Sequence, residues 1–316
     1  MPADEVTLEK DNLADFLQIV ETWRNKWSVG ERAIYRGHTD FNWILIAKLF
    51  RKPDAKPENL MGNEPDKIEE QLLRERLEMK EAHDIEHRLF HDFSRFLYAY
   101  RPDLICTVAE EEMSNTRSMQ EWRQLAIAQH YGLPTRFLDF TTNMLVALFF
   151  AVERAVARRK TTKGEWQEQD SAVWCIEVPN RLGVWKVWDK GEGIWLSPLK
   201  FAEEGSDPPI AHFVDTAFVP EHIDQRIRVQ GSVFMCEPWG KKPEWQLHTN
   251  LRDKTTTMNK KPTRTLRVRI PKDARESLLE QLDFVGINRA TLFLDLGSAA
   301  SYLAWAVYQR KRPYMR

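Results

Sequence analysis

The run Met144 to Val152 is apolar without exception. A helix with no polar face must be covered on every side, so the chain has to supply layers of structure around this segment. The run is less than half of the roughly 20 residues that span a bilayer, which makes it the centre of a core rather than a membrane anchor. The residues just before it, Gln129 to Asn143, are the opposite in character: side-chain donors, acceptors and turn formers crowd together. Thr141, Thr142 or Asn143 is placed to cap the apolar helix.

The rest of the chain can build that core. Its 316 residues, 42% hydrophobic and 29% charged, are enough for a globular unit without disulfides or metals. Lys and Arg number 46 against 47 Asp and Glu, so no global field points to nucleic acid or to an anionic membrane. Cys106, Cys175 and Cys236 are odd in number and far apart, which fits neither a disulfide framework nor a zinc site. A cytoplasmic location is expected, since the acidic stretch Met1 to Asp15 lacks the features of a signal peptide.

Periodicity predicts an amphipathic helix over Asp11 to Trp27, ended by Gly30, and a short strand at Ala33-Ile34-Tyr35 that delivers Arg36 at its end. The segment 52–118 reads as a charged helical insertion, beginning with a proline-rich surface loop. Helices are expected from Met119 to His130 and from Met144 to Ala157, with a polar loop between them. Arg158 to Asp170 reads as an exposed connection, and Gly183 to Pro209 as irregular structure. Strands are expected at Ala172 to Val178, Arg226 to Met235, Thr265 to Ile270 and Thr291 to Leu296. Pro271 opens a helix to Leu282, Ser298 to Gln309 closes the fold, and 310–316 is a mobile basic tail. The uneven spacing of the strands disfavours a doubly wound parallel sheet. The expectation is one α+β domain over 1–316, with a small mixed or antiparallel sheet flanked by helices.

Neither a phosphate-binding glycine loop nor a G-x-S-x-G elbow occurs, which disfavours P-loop enzymes, kinases and α/β-hydrolases. His83-Asp84-Ile85-Glu86-His87 matches H-x-x-E-H, in which two histidines bind zinc beside a glutamate base. The helix around it is densely charged, His91 extends the stripe, and no third ligand is placed, so no metal is expected. The 12 tryptophans sit mostly in amphipathic patterns, as core residues do, and Lys260 to Arg264 reads as a solvated loop. No stacking surface for nucleic acid is expected from them. The strongest candidate is the loop Gln129 to Asn143. The start of the apolar helix carries partial positive charge, and Arg136 beside it would favour a phosphate or carboxylate. The same residues also allow a purely structural account, with Arg136 paired to Asp139 and Thr141 capping the helix.

These residues carry a family resemblance. Tyr35-Arg36-Gly37, then Trp43-Ile44-Leu45 and Arg51, then the block Ala128 to Thr141 with Asn143 and Ala147, resemble the FRG-domain family, named for an aromatic-Arg-Gly motif. Ala47 stands where the family usually has proline. Arg226 to Phe234 and Thr291 to Leu296 resemble its later blocks, with Leu294 in place of a usual proline. A weaker likeness, to the Arg-Ser-Glu order of ADP-ribosyltransferases, implies an NAD-using ADP-ribosyltransferase-like or NAD-cleaving effector, a toxin or anti-phage protein. It implies Arg36 and Gly37, with His130, Thr135, Arg136, Thr141, Thr142 and Asn143, as the nucleotide-binding set and NAD as substrate. Gln230 stands in the third catalytic position, where a carboxylate is wanted, so Asp139 and then Glu237 are the catalytic candidates. The implied partners are a nucleotide-like small molecule and a protein acceptor or cognate regulator, with no membrane. The alternative is a non-catalytic module that binds a nucleotide or a protein through the same cleft.

Overall fold

The computed structural model describes residues 4–25, 31–43, 45–51, 79–105, 113–153, 158–160, 165–179, 217–218, 220, 224–236 and 264–308. Nine strands occur among them: β1 (Asp4–Thr7), β2 (Glu31–His38), β3 (Phe137–Thr141), β4 (Arg158–Lys160), β5 (Trp166–Glu168), β6 (Ser171–Pro179), β7 (Ala217–Phe218), β8 (Ser232–Cys236) and β9 (Thr265–Ile270). Seven form a mixed sheet in the order β1-β9-β6-β2-β3-β8-β7. Its β1–β9 pair is parallel and the other pairs are antiparallel, so the architecture is α+β and not doubly wound. Strands β4 and β5 pair separately, within what the sequence presents as a simple exposed connection.

Helices cover both faces of the sheet, and the alternation of side chains along the strands explains why they must. Along β2 and β6, Tyr35, Val173 and Cys175 face one cluster while Ile34, Trp174, Ile176 and Val178 face the other, so both faces are apolar. The first face is covered by helices at Leu13–Arg24 (α1), Met144–Val152 and Arg275–Phe284, through Phe16, Val20, Ala147, Leu148 and Leu278. The second is covered by α2 (Met79–Tyr100) and α3 (Met113–His130), through Phe90, Trp122 and Leu125. The helix Met144–Val152, here α4, is thus the covered central element that its composition demands. Among the described residues no helix is long and apolar enough to cross a membrane.

Several sequence expectations change. The segment between α3 and α4 is not only a polar loop: β3 lies in it, between β2 and β8, because Phe137, Leu138 and Phe140 are buried while Asp139 projects outward. Arg36 is not at the end of its strand, since β2 continues to His38. The strand expected from Arg226 to Met235 divides. Asp224 caps the short helix α5 (Gln225–Val229), Gly231 takes a left-handed φ of 58°, and only then does β8 begin. Pro271 precedes a 3-10 turn, Lys272–Ala274, rather than starting α6 (Arg275–Phe284) directly. The last expected strand, Thr291 to Leu296, is helical: Asn288 and Thr291 form a capping box that starts α7 (Arg289–Phe293), and Leu294 ends it before α8 (Leu296–Tyr308). Within the segment expected to be a charged insertion, α2 supplies Ala82, Glu86 and Phe90 to the interior. The expectations for 52–78, Gly183 to Pro209, Lys260 to Thr263, the tail 310–316, Cys106 and Glu237 lie outside the described residues.

Candidate functional site

Strand β2 is paired with β6 over its whole length, from Glu31↔Pro179 to His38↔Ala172, and β3 with β8 from Phe137↔Cys236 to Thr141↔Ser232. Between β2 and β3 the registered pairing is reduced to Tyr35↔Thr141. The sheet therefore opens beyond that pair, and a cleft of about 500 Å³ occupies the opening. Arg36, Gly37, His130, Asp139, Thr141 and Gln230, drawn from distant parts of the sequence, all line it.

Arg36 is held on three sides. Its Nη1 donates to the Asp139 carbonyl at 2.5 Å and lies 3.8 Å from Asp139 Oδ2, while its Nε donates to His38 Nε2 at 3.1 Å. His38 Nδ1 is 3.3 Å from the carbonyl of Trp43. Burial, and then the cations Arg36, Arg51 and Arg267, hold the pKa of His38 well below the usual histidine range. The ring is therefore neutral, with Nδ1–H donating to Trp43 and Nε2 accepting from Arg36. Burial lowers the pKa of Arg36 and Asp139 opposes that shift; a guanidinium stays charged nonetheless.

Gly37 lines the cleft, but its identity is dictated from behind. A Cβ there would collide with the Ala147 carbonyl oxygen and fall 2.5 Å from the Ala151 nitrogen, both backbone atoms of α4. The Arg-Gly pair thus does two jobs: the arginine faces the cleft and the glycine admits the central helix.

Asp139 is the sequence-predicted carboxylate that the cleft contains. Its Oδ2 accepts from Gln129 Nε2 at 2.8 Å, and Gln129 Oε1 accepts from Thr135 Oγ1 at 2.6 Å. Thr135 is fully buried, so it aims Gln129 at Asp139 rather than meeting a ligand itself. Thr141 Oγ1 donates to the Gln230 carbonyl at 2.6 Å and accepts from the Asn143 amide at 3.0 Å. Gln230 is likewise engaged, its side-chain amide donating to the Leu292 carbonyl at 3.0 Å. These bonds join β3 to the α5–β8 turn and the turn to α7.

Arg136, Thr135, Thr142 and Asn143 do not line the cleft. Arg136 is fully buried and pairs with Glu86, not with Asp139: its Nε donates to Glu86 Oε2 at 2.8 Å and its backbone amide to Oε1 at 3.2 Å. It pins α2 to the chain entering β3 and cannot serve as a phosphate contact there. Asn143, rather than Thr141, supplies the N-cap of α4 by accepting from the Leu145 amide. The Thr142 amide donates to the Gly231 carbonyl. Side chains and carbonyls thus take up amides at the α4 start that the sequence offered to an anion. In the H-x-x-E-H segment Glu86 is turned inward to Arg136, so it does not stand as a base beside His83 and His87. Among the described residues no group of three His, Cys, Asp or Glu side chains is arranged to hold a metal ion.

The cleft also contains groups that the sequence did not single out as ligand contacts. Arg226 lines it with its guanidinium 4.7 Å above the Phe293 ring. Arg51, at another wall, donates to the Ile46 carbonyl at 2.8 Å. His130 Nε2 lies 3.3 Å from Asp224 Oδ2, and Asp224 Oδ1 accepts from the Arg226 amide at 2.7 Å. That backbone bond first, and His130 second, hold the Asp224 carboxyl below the usual carboxylate range. The one local signal for Asp224 is its place as an N-cap before Gln225. Among the described residues, three arginines and one carboxylate thus line a cavity whose other walls include Tyr35, Trp43, Phe140 and Phe150. Its electrostatics favour an anion and its aromatic walls a flat apolar group. A second cavity, of about 220 Å³ between α4, α6 and α8, contains none of the predicted site residues.

Among curated proteins and among solved structures nothing matches the chain significantly. Residues 31–160 match the FRG domain family, a span that begins with the strand bearing Arg36 and Gly37 and includes α2, α3, β3 and α4. The chain accordingly carries an FRG domain over residues 31–160.

Proposed function

We propose that the cleft binds a nucleotide of the NAD type and that the protein cleaves or transfers it in the manner of an ADP-ribosyltransferase. The observation that carries this reading is the gathering of Arg36, Arg51 and Arg226 around a cleft that Asp139 also lines, beside aromatic walls. Arginine forks suit phosphate oxygens, and the aromatic side chains suit a base or a nicotinamide ring. In the proposed reaction the bond from the ribose anomeric carbon to the nicotinamide nitrogen breaks, and nicotinamide leaves as a neutral base. A bond then forms from that carbon to the oxygen of water or to an acceptor side chain, whose proton is released. A carboxylate near the anomeric carbon stabilises the positive charge that develops there, which is the role assigned to Asp139. Arg36 and Asp139 are only loosely paired, at 3.8 Å with the carboxylate 59% exposed. The Asp139 carboxylate is largely hydrated and only loosely held, so a phosphate that reaches Arg36 can displace it. Consumption of NAD in this way would halt the growth of a cell, which is how a toxin or anti-phage role would arise.

A second reading, binding without turnover, is favoured by the exposure of Asp139 and its bond to Gln129, since a solvated carboxylate is a weaker electrostatic catalyst. Incubation of the full chain with NAD, with nicotinamide and ADP-ribosylated products followed by chromatography, separates the two. Cleavage is expected, with Asp139→Asn lowering kcat by about 100-fold and leaving KM nearly unchanged. Arg36→Ala is expected to raise KM by roughly 10- to 100-fold, as loss of a charged hydrogen bond requires. Retained NAD binding without product selects the second reading, and absence of binding refutes both.

A further inference from the structure

We propose that Arg226 is the second cationic pole of the cleft, and that the site takes two linked phosphates, a diphosphate bridging Arg36 and Arg226, in preference to a single phosphate. The inference rests on the reading of the cleft as a nucleotide site and assigns the part of the ligand that the site grips. Arg36 has a carboxylate within reach and a bond to His38, and Arg51 is bonded to a carbonyl. Arg226 differs. Asp224 and Asp295 feel its charge, but among the described residues neither forms an ion pair with it, and its Nε is buried without a hydrogen-bond partner. Its guanidinium instead rests over Phe293, a contact that holds the group in place without engaging its donors. Buried arginine donors are normally satisfied, so an unsatisfied one on a cleft wall calls for an anionic ligand.

The path between the two arginines is short. Arg36 follows Tyr35, which pairs with Thr141; Thr141 donates to the Gln230 carbonyl, and the Gln230 amide donates to the Arg226 carbonyl. Each link is a hydrogen bond or a strand pair, so the two residues are fixed relative to one another. A rounded cavity of about 500 Å³ is roughly 10 Å across. A diphosphate gripped at both ends by N–H···O bonds of about 2.8 Å has that reach, and one phosphate does not. The charge of the described lining residues agrees: Arg36, Arg51 and Arg226 against Asp139 leave an excess that a diphosphate neutralises better than a monoanion.

Calorimetric titration of the full chain with inorganic pyrophosphate and, separately, with inorganic phosphate tests this. Pyrophosphate is expected to bind at least about tenfold more tightly than phosphate, and Arg226→Gln is expected to remove that advantage. Arg226→Lys should restore part of it, because it returns the charge without the fork, and thermal unfolding checks that each variant is folded. Equal affinity for the two anions, or a folded Arg226→Gln protein with undiminished pyrophosphate affinity, overturns the proposal. Nicotinamide release, measured on the same preparation, tests the catalytic reading independently. Tight pyrophosphate binding without release rejects NAD cleavage and leaves the diphosphate site standing, whereas release with no preference for pyrophosphate does the reverse.

Discussion

Replacement of Glu86 by alanine should destabilise the protein severely without touching the cleft. Glu86 is 3% exposed at its side chain and Arg136 is 0% exposed, and they are joined at 2.8 Å with a further bond from the Arg136 amide. Removing the carboxylate leaves a guanidinium and a backbone donor in the interior, where water cannot replace the lost partner. Breaking a buried pair from one side costs about 3–5 kcal/mol. A typical domain has about 5–15 kcal/mol in all, so a large share of the stability disappears. At roughly 2–4 °C per kcal/mol, the midpoint of thermal unfolding should fall by about 6–20 °C. Glu86→Gln keeps the acceptor oxygen and should fall between wild type and Glu86→Ala, while the double replacement Glu86→Leu with Arg136→Met removes both charges and should recover most of the loss. Scanning calorimetry or urea unfolding reads these differences. The reasoning is refuted if Glu86→Ala unfolds within about 1 kcal/mol of wild type. It is also refuted if Arg136→Met is as stable as wild type but no longer binds NAD or pyrophosphate, which would make Arg136 a ligand contact.

Two other consequences concern the floor of the cleft. Gly37→Ala should prevent recovery of folded protein or lower its midpoint more than any cleft-surface variant, because the new Cβ would run into backbone atoms of α4 that cannot rotate away; circular dichroism and thermal melts decide it. A Gly37→Ala protein as stable as wild type would show that α4 is not seated there. His38 should make the fold acid-sensitive. Its folded pKa is depressed, so below about 6.5 the unfolded chain takes up a proton that the folded protein refuses. Its stabilising contribution is complete above that pH and is lost as pH falls, by up to about 1.4 kcal/mol per unit until the folded pKa is reached. Urea unfolding at pH 7.5 and pH 5.5 should show a smaller acid loss in His38→Gln than in wild type, and equal losses would refute the assignment.

Elements whose local pattern agrees with their burial are readable from sequence. Helix α1 with its apolar spacing, the apolar α4 and strands β6 and β9 appear where the periodicity places them, to within a few residues. Strand β3 is hidden because its residues Phe137 to Thr141 lie in a stretch whose polar side chains serve several separate purposes: Gln129 and Thr135 orient Asp139, Thr141 ties down Gln230, and Asn143 caps α4. Sequence reading groups such residues into one polar loop, whereas the fold turns each toward a different neighbour. The helix at 289–293 reads as a strand because Leu292 to Leu296 is rich in apolar residues, and the deciding signal is the cap formed by Asn288 and Thr291.

The same principle separates the arginines of this chain. Arg36, Arg136 and Arg226 are chemically alike, and sequence spacing favours Arg136 because it stands in the densest polar block. What distinguishes them is the partner each meets. Glu86 lies far upstream, on a helix that reads as part of an insertion, and it occupies Arg136. Arg226, which the sequence places at the start of an expected strand and of a family-like block, sits on a cleft wall over an aromatic ring, with a buried Nε that has no hydrogen-bond partner among the described residues. Affinity for an anion belongs to a cation that the fold has left uncompensated, and compensation depends on contacts between distant segments. The cleft follows from the same long-range geometry. Strands β2 and β3 each have a fully paired neighbour on one side and share a single pair with one another, so the sheet parts at the place where Arg36, Asp139 and the Gln230 turn converge.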